Sequence, residues 1–364
     1  MPADSLSVAA EKGPDKNAVV KSKDHILLDV RGLSKEFDLP GFRLFGPKKT
    51  LTAVSDVSFS IGRGRILGLV GESGSGKTTI GRMIMRLVDP TRGSVEFDGI
   101  ELTALSGRSL RRHRHRFQMV FQDPYASLNP KMSVREIVEE PLVIHGLAPS
   151  LSDRLDQVAR LLERVGLSSH DMDRFPHEFS GGGRQRIGIA RAIACGPDLL
   201  VADEPIASLD LSIGAQIINL FSSLNQTERM SMLFISHDLS VVRYLSDNVV
   251  VLYRGVMVES GPTTVVFDQP AHPYTRILVG SGSGVRTIDP ESRRETGTGG
   301  LCPFLDRCSE SLPVCHVSLP ARLWKNDSES PGQREPRAVL CHLADRSSEW
   351  SPSPSTSQFI QGNP

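Results

Sequence analysis

The 364-residue sequence lacks a membrane segment, a net charge and a cysteine-rich framework. No apolar run approaches the roughly 18 residues that a membrane-spanning helix needs. Lys plus Arg and Asp plus Glu each number 42, so the overall charge provides no attraction to nucleic acid, and we expect no nucleic-acid partner. Only five cysteines occur. In a cytosolic protein such a small number favours metal or core roles over disulfides.

Low-complexity and polar segments divide the chain. Residues 1–24 lack the apolar core of a signal peptide and predict a disordered lead-in, so we expect a cytosolic chain that reaches the membrane only through partners. Residues 280–300 are rich in Gly, Ser and Thr and predict a linker. A small cysteine-bearing C-terminal module is expected at residues 301–346, followed by a disordered tail at residues 347–364.

Between residues 25 and 279, apolar strands alternate with helical stretches, which predicts an α/β domain. Residues 133–195 are mostly helical in pattern and form a predicted helical subdomain, and another helix is expected from Lys77 to about Leu87. Open α/β sheets bind ligands at the carboxyl ends of their strands. The predicted core strands are Ile66–Val70, Phe117–Phe121, Leu199–Ala202 and Met232–Ser236.

A glycine-rich loop lies between the first of these strands and the helix that follows it. Glycine lets successive backbone N–H groups turn inward around phosphates at the positive end of a helix. Lys77 is expected to reach the β- and γ-phosphates of ATP, and Thr78 to bind Mg²⁺. The strand and helix on either side disfavour a merely flexible loop. The predicted ATP-binding P-loop comprises Gly71, Glu72, Ser73, Gly74, Ser75, Gly76, Lys77, Thr78 and Thr79.

Four polar residues at strand ends complete a predicted hydrolysis site. Asp203 closes an apolar strand, as a Mg²⁺-binding carboxylate does, and the adjacent Glu204 is predicted to act as general base toward the attacking water. Gln122 is expected to reach Mg²⁺ and the water, and His237 to contact the γ-phosphate. Each feature is commonplace alone. Their spacing from Lys77 makes the combination specific for ATP hydrolysis.

The run Phe179–Arg191 (FSGGGRQRIGIAR), together with these motifs, resembles the ATP-binding subunits of ABC transporters. The resemblance implies a P-loop ABC-type nucleotide-binding domain with a helical subdomain. It also implies a face-to-face dimer, in which Ser180, Gly181 and Gly182 of one subunit bind the γ-phosphate of the ATP held by the other subunit. Hydrolysis by such a subunit therefore requires a dimer.

The same resemblance assigns several other residues. Asp210 falls in the loop after Glu204 that the family calls the D-loop. An aromatic residue upstream of the P-loop usually stacks on adenine, and Phe37 is the candidate, with Phe42 and Phe45 as alternatives. Ordinary core packing is the competing interpretation of Phe37. Residues 180–183 form the loop that the family calls the signature loop. The family usually has Gln at its last position, where this chain has Gly183, and this departure favours a non-identical partner ATPase.

A narrower resemblance is to the ATPases of oligopeptide and dipeptide importers. It implies peptide uptake energised at the cytoplasmic face of the cell membrane, with a second ATPase subunit, two transmembrane permeases and an extracytoplasmic solute-binding protein. Similar subunits serve nickel, glutathione or oligosaccharide uptake, so these substrates remain alternatives. The residues that carry the resemblance are Leu39–Lys49, Met119–Pro130, Glu140–Leu142, Gly261–Pro262, Phe267 and His272–Thr275.

Four of the five cysteines, Cys302, Cys308, Cys315 and Cys341, lie in the short C-terminal segment. So few residues bury little core, which makes a metal or cluster staple physically reasonable. Four thiolates suit an iron–sulfur cluster or Zn²⁺. The importer resemblance implies a 4Fe-4S cluster, and zinc or unligated thiols remain as alternatives.

Two other classes of protein compete with a transport ATPase. Soluble ABC ATPases of DNA repair carry long coiled coils between the P-loop and the signature, whereas this interval is short, and those of translation usually contain two cassettes. An iron–sulfur redox protein with a vestigial nucleotide fold is disfavoured by the intact Lys77, Asp203, Glu204 and His237. The sequence therefore predicts an importer ATPase.

Overall fold

The computed structural model describes residues 26–39, 50–280, 302–320, 322–325, 337–344 and 351–352. The strands in these ranges are β1 (Ile26–Asp38), β2 (Thr50–Gly62), β3 (Ile66–Val70), β4 (Arg92–Phe97), β5 (Ile100–Glu101), β6 (Phe117–Val120), β7 (Leu199–Asp203), β8 (Ser231–Ile235), β9 (Asn248–Tyr253), β10 (Val256–Pro262), β11 (Arg322–Lys325), β12 (Arg337–Leu340) and β13 (Ser351–Pro352). The helices are α1 (Lys77–Ile84), α2 (Gly107–His113), α3 (Pro124–Ser127), α4 (Val134–His145), α5 (Leu151–Arg164), α6 (Gly181–Ile193), α7 (Leu211–Glu228), α8 (Leu239–Leu245), α9 (Thr263–Asp268) and α10 (Pro273–Gly280).

The strands form two sheets. An antiparallel sheet has the order β2-β1-β4-β5, and the main sheet has the order β13-β11-β12-β10-β9-β3-β8-β7-β6. Strands β6, β7, β8, β3 and β9 pair in parallel. All five residues of β3, β7 and β8 are buried, which explains their nearly continuous apolar sequences, because central parallel strands are covered on both faces.

Parallel pairing brings four predicted site segments to one edge of the main sheet. The P-loop follows β3, Gln122 lies just beyond β6, Asp203 ends β7 and His237 lies just beyond β8. Strands β6, β7, β8 and β3 are consecutive neighbours, so their carboxyl ends lie side by side. The topology thereby gathers residues from across the domain at the edge where such sheets bind ligands.

Helices α4, α5 and α6 lie within the range predicted as a helical subdomain. Ser133 caps α4 and forms a reciprocal capping box with Glu136, which fixes the start of that helix. The inward faces of α4 and α5 bury apolar residues that share one core cluster with residues of α6. These residues are Val134, Ile137, Val138, Leu142, Val158, Leu161, Leu162, Ile187 and Ile189.

Three predicted elements extended beyond their observed ends. Strand β8 ends at Ile235 and not at Ser236. Helix α1 ends at Ile84, not near Leu87, and Arg86 adopts a positive φ of 51° that ends the helical path. Strand β6 ends at Val120, and Phe121 lies beyond it with 36% of its surface exposed. Each error extended a regular element into the segment that follows it.

The C-terminal segment is joined to the main sheet rather than standing apart from it. Strand β12 pairs with β10, and β11 pairs with β12. The buried guanidinium of Arg337 donates to Glu259 at 2.6 Å, and the same carboxylate accepts the N–H groups of Ala271 and His272. Sheet and ion-pair contacts thus cross the predicted boundary at residue 301. The predicted lead-in at residues 1–24, linker residues 281–300 and most of the predicted tail lie outside the described residues.

No helix within the described ranges combines the length and apolar character that crossing a bilayer requires.

Candidate active site

Two glycines hold the P-loop in a backbone shape that only glycine fits. Gly71 has φ +150° and Gly76 has φ +103°. A Cβ added to Gly71 would lie 2.2 Å from the carbonyl oxygen of Leu252, and one added to Gly76 would lie 2.6 Å from that of Ala53. Helix α1 begins directly after this loop, so the free N–H groups of its first turn face the loop. The loop is therefore built to bind an anion.

The Lys77 side chain lies inside the P-loop with only 4% of its surface exposed. Its Nζ donates to the carbonyl oxygens of Gly71 (2.8 Å) and Glu72 (3.0 Å) and lies 4.0 Å from Glu204 Oε1. Desolvation lowers the pKa of Lys77, and the negative charges of Glu204, Asp203 and Glu72 oppose that shift. The ammonium is thus held where a bound phosphate would meet it.

Thr78 and Asp203 meet at the sheet edge although they are 125 positions apart. The Thr78 hydroxyl donates to Asp203 Oδ1 at 3.0 Å. Burial raises the pKa of the Asp203 carboxyl, while the Thr78 hydrogen bond opposes the shift. A hydroxyl and a carboxylate oxygen are ligands that Mg²⁺ accepts.

Glu204 is the point on which the other predicted catalytic residues converge. Gln122 Nε2 donates to Glu204 Oε2 at 3.2 Å, and His237 Nδ1 lies 3.3 Å from the same oxygen. Lys77 approaches the other carboxylate oxygen. Glu204 also has φ +44°, which is uncommon for a residue with a side chain and occurs most often at functional sites. This conformation directs the carboxylate out of the end of β7 into the group formed by Lys77, Gln122 and His237.

Of the predicted signature residues at the start of α6, Gly181 is half-buried and Gly182 is buried. Ser180 is exposed, and its Oγ accepts the N–H of Gly183 at 3.3 Å, so it caps the helix. A Cβ on Gly182 would come within 2.4 Å of Ile213 Cγ2, which explains glycine there by packing, and a Cβ on Gly181 would meet only Leu209, at 3.5 Å. The contacts of Ser180 are within its own helix, and its exposed position is compatible with contact to a second molecule.

The remaining predicted residues are placed as follows. Asp210 precedes α7, whose first residue Leu211 is 92% exposed. Ser73 and Gly74 are exposed at the tip of the P-loop. Phe37 lies on β1 with 38% of its surface exposed, and the Lys35 ammonium sits 5.1 Å from its ring centroid, so Phe37 is not an ordinary core residue. Its alternatives Phe42 and Phe45 fall outside the described residues. In the P-loop, Ser75 is buried, and Thr79 in the first turn of α1 is half-buried.

Similarity to known proteins covers most of the chain. A family model described as ABC transporter matches residues 54–207, and one described as oligopeptide/dipeptide transporter, C-terminal region, matches residues 258–315. The oligopeptide transport ATP-binding protein AppF of Bacillus subtilis is 43% identical over 328 residues, which cover 87% of this chain and 97% of AppF. The chain belongs to the ABC transporter family of ATP-binding proteins.

Other relatives of this ABC ATPase agree with that assignment. The oligopeptide transport ATP-binding protein OppF of Bacillus subtilis is 46% identical over 269 residues, covering 74% of this chain and 85% of OppF. Among solved structures, the dimeric ATP-binding cassette MJ0796 in a post-hydrolysis state with ADP and Pi is 28% identical with a TM-score of 0.59, covering 65% of this chain and 99% of that one. The predicted cassette fold and the predicted ATPase activity are confirmed.

The ABC ATPase has four cysteines around a single cavity in its C-terminal segment. Cys302, Cys308, Cys315 and Cys341 all line this cavity together with the buried His272. Burial raises the pKa of the Cys302 thiol to about 11. In the part of the chain that the structure describes, no three His, Cys, Asp or Glu side chains stand close enough to hold one metal ion.

Sequence reasoning missed two residues that contact the P-loop of this ABC ATPase. Arg307 forms an ion pair with the Glu72 carboxylate, and the Tyr274 hydroxyl accepts the Glu72 N–H. Glu72 was predicted to bind ATP, but its carboxylate pairs with Arg307, its N–H donates to Tyr274 and its carbonyl oxygen accepts from Lys77. No local sequence pattern reveals these contacts, because both residues are far from Glu72 in the chain. Arg307 lies in the cysteine-bearing segment, and Tyr274 lies in α10.

Proposed function

We propose that this ABC ATPase energises peptide import as one of two ATP-binding subunits beneath two membrane permeases. The supporting observation is similarity in both parts of the chain, because the cassette matches the ABC transporter model and the C-terminal region matches the oligopeptide/dipeptide transporter model. AppF and OppF are named oligopeptide transport ATP-binding proteins. The chain would act at the cytoplasmic face of the cell membrane, fed by an extracytoplasmic solute-binding protein. Nickel, glutathione or oligosaccharide uptake is the alternative.

The proposed chemistry assigns one task to each residue at the sheet edge. Lys77 and the P-loop N–H groups bind the triphosphate, and Thr78, Asp203 and Gln122 would hold Mg²⁺, which neutralises phosphate charge when bound. Glu204 accepts a proton from the attacking water at its carboxylate. His237, beside that carboxylate, contacts the γ-phosphate. Phe37 stacks on adenine.

Complete ATP sites are proposed to form only between two subunits. Ser180, Gly181 and Gly182 would close over the γ-phosphate held by the partner's P-loop, and the exposed position of Ser180 supports this arrangement. Asp210 precedes the highly exposed Leu211 and would lie at the same interface. Gly183 in place of the usual Gln favours a related but non-identical partner ATPase.

The transport proposal is tested by purifying the tagged chain from gently solubilised native membranes and identifying co-purified proteins by mass spectrometry. We expect two permeases and a second ATPase, with the same tag on an unrelated cytosolic protein as control. The ligand of the associated solute-binding protein then distinguishes peptides from nickel, glutathione or oligosaccharides. Recovery of ribosomal or DNA-bound proteins without a permease would contradict import and leave only the ATPase activity.

We further propose that Cys302, Cys308, Cys315 and Cys341 hold a 4Fe-4S cluster that staples the C-terminal segment. Their position around one cavity supports a shared ligand. Four thiolates suit either an iron–sulfur cluster or Zn²⁺, so zinc is the alternative to the cluster.

Anaerobically purified protein should show broad absorbance near roughly 400 nm and contain iron. The Cys308→Ser variant should lose most of both signals, whereas Cys195→Ser, which changes the cysteine outside the C-terminal segment, should retain them. Stoichiometric zinc without iron would contradict the cluster and show that the protein has a zinc site instead. Protein with neither metal would leave the four cysteines as unligated thiols.

A further inference from the structure

The carboxylate of P-loop residue Glu72 is held by the C-terminal segment. The Glu72 side chain is 3% exposed, and Arg307 Nη1 lies 2.9 Å and 3.0 Å from its two oxygens. The two residues are 235 positions apart. Glu72 directly follows Gly71 in the loop, and its own carbonyl oxygen accepts from the Lys77 ammonium. One residue of the phosphate-binding loop is therefore bonded to Lys77 on one side and to Arg307 on the other.

A second contact fixes the backbone of the same residue. The Glu72 N–H donates to the Tyr274 hydroxyl at 3.1 Å. The Tyr274 ring lies 4.7 Å from that of Tyr253 and 5.5 Å from that of Phe304, and the Tyr253 and Phe304 rings are 5.1 Å apart. Phe304 belongs to the C-terminal segment and is 1% exposed. A buried aromatic cluster thus joins that segment to the back of the P-loop.

The charge of Glu72 would oppose the function of its loop if it were unpaired. A buried carboxylate next to a triphosphate site repels the ligand, and poor solvent screening strengthens the repulsion. Desolvation lowers the pKa of Lys77, and the charge of Glu72 is one of three carboxylate charges that oppose this shift. Arg307 neutralises the carboxylate and holds it away from the inner side of the loop, where Lys77 lies.

We infer that the C-terminal segment contributes to nucleotide binding and that Arg307 is the residue through which it positions the P-loop. The inference rests on the proposed assignment of the P-loop as the ATP site. Arg307 ends a single turn, Leu305–Arg307, that lies between Cys302 and Cys308. Arg307 N–H donates to Phe304, and Cys308 N–H donates to Leu305. A group bound to both cysteines would therefore also hold this turn in place, and with it the Arg307 guanidinium that contacts Glu72.

The test measures Mg-ATP affinity of the 364-residue chain by titration with a fluorescent ATP analogue. Arg307→Ala should weaken binding about tenfold, because it leaves Glu72 buried and unpaired beside the triphosphate. Arg307→Lys keeps the charge and should lose only about threefold, because the two-oxygen contact is less well matched. The control is Asp268→Asn, which removes the exposed ion pair of Asp268 with Arg243 at 2.6 Å. This control should bind ATP normally.

The double variant Arg307→Ala/Glu72→Gln separates positioning from general destabilisation. Removing the carboxylate removes the repulsion, so the double variant should bind ATP within about twofold of Glu72→Gln alone, where Arg307 has no charge partner. Thermal midpoints of all variants are measured together. A fall in thermal midpoint for Arg307→Ala without a change in ATP affinity would overturn the inference, and so would an affinity loss that Glu72→Gln fails to suppress.

An incorrect P-loop assignment and an incorrect role for Arg307 give different results. If the unmodified chain and Lys77→Ala bind ATP equally, the assignment of the P-loop itself is wrong. If Lys77→Ala loses binding while Arg307→Ala keeps it, the P-loop assignment stands and the role of Arg307 is wrong.

Discussion

Glu204→Gln should bind ATP with nearly unchanged affinity yet hydrolyse it at least about a hundredfold more slowly, since a positioned general base contributes roughly 10²–10⁴ in rate. The amide is isosteric with the carboxylate and can still meet Gln122 and His237, which lie within 3.3 Å of it. It cannot accept the proton of the attacking water. The measurement is phosphate release at saturating Mg-ATP, with the partner ATPase present, beside a nucleotide-binding titration.

The control for this variant is Glu96→Gln, the same chemical change on a strand of the antiparallel sheet. Glu96 is a solvent-exposed carboxylate 3.8 Å from Arg31, so its loss should leave turnover intact. Near-normal hydrolysis by Glu204→Gln would show that another group activates the water. The side-chain contacts of Glu204 would then serve the structure and not the catalysis.

Lys77→Ala should weaken ATP binding itself. The ammonium is buried and held by two P-loop carbonyl oxygens, so it is already placed to meet phosphate without rearrangement. A charged hydrogen bond contributes about 1.5–3 kcal/mol, which predicts a loss of roughly 10- to 150-fold in affinity. Titration of the isolated chain with labelled ATP measures this directly.

Lys131→Ala serves as the matched control, because Lys131 is exposed and lies outside the P-loop. Its affinity should equal that of the unmodified chain. Unchanged ATP affinity in Lys77→Ala would contradict the phosphate-binding role of the loop. Together the two substitutions separate binding from chemistry, since Glu204→Gln should slow turnover with ATP bound and Lys77→Ala should weaken ATP binding itself.

The geometry around Glu204 explains why these two effects should be large. Its carboxylate is reached by side chains from the P-loop helix and from the ends of β6 and β8. The positive φ of Glu204 is a strained conformation, which costs on the order of 1–3 kcal/mol and persists only where neighbours enforce it. Here the N–H of Glu204 donates to Ile235 at the end of β8, which anchors the residue.

Much of the cassette could be predicted from sequence because its signals are local. The P-loop needs a buried strand, glycines and a helix start in one continuous stretch, and all three are visible at residues 66–84. Burial on both faces makes the core strands continuously apolar, so their existence could be inferred as well. Their ends could not, since β6 ends at Val120 although the apolar sequence continues to Phe121.

The C-terminal segment was harder to predict for a physical reason. Its cysteines predicted a small stapled module, and only the structure shows that β12 pairs with β10 and extends the main sheet. Strand pairing between distant segments depends on which edge is free, and a sequence of four residues such as that of β12 does not specify its partner.

The sequence by itself determined the ABC cassette, the P-loop and the identity of the carboxylates at the strand ends, because contiguous residues create each of these features. Only the tertiary structure decided that Gln122, His237 and Lys77 converge on Glu204 and that Arg307 pairs with Glu72. Those contacts join side chains from distant parts of the chain. Their geometry follows from parallel strand order and from the packing of Phe304 against Tyr253 and Tyr274, which no local pattern encodes.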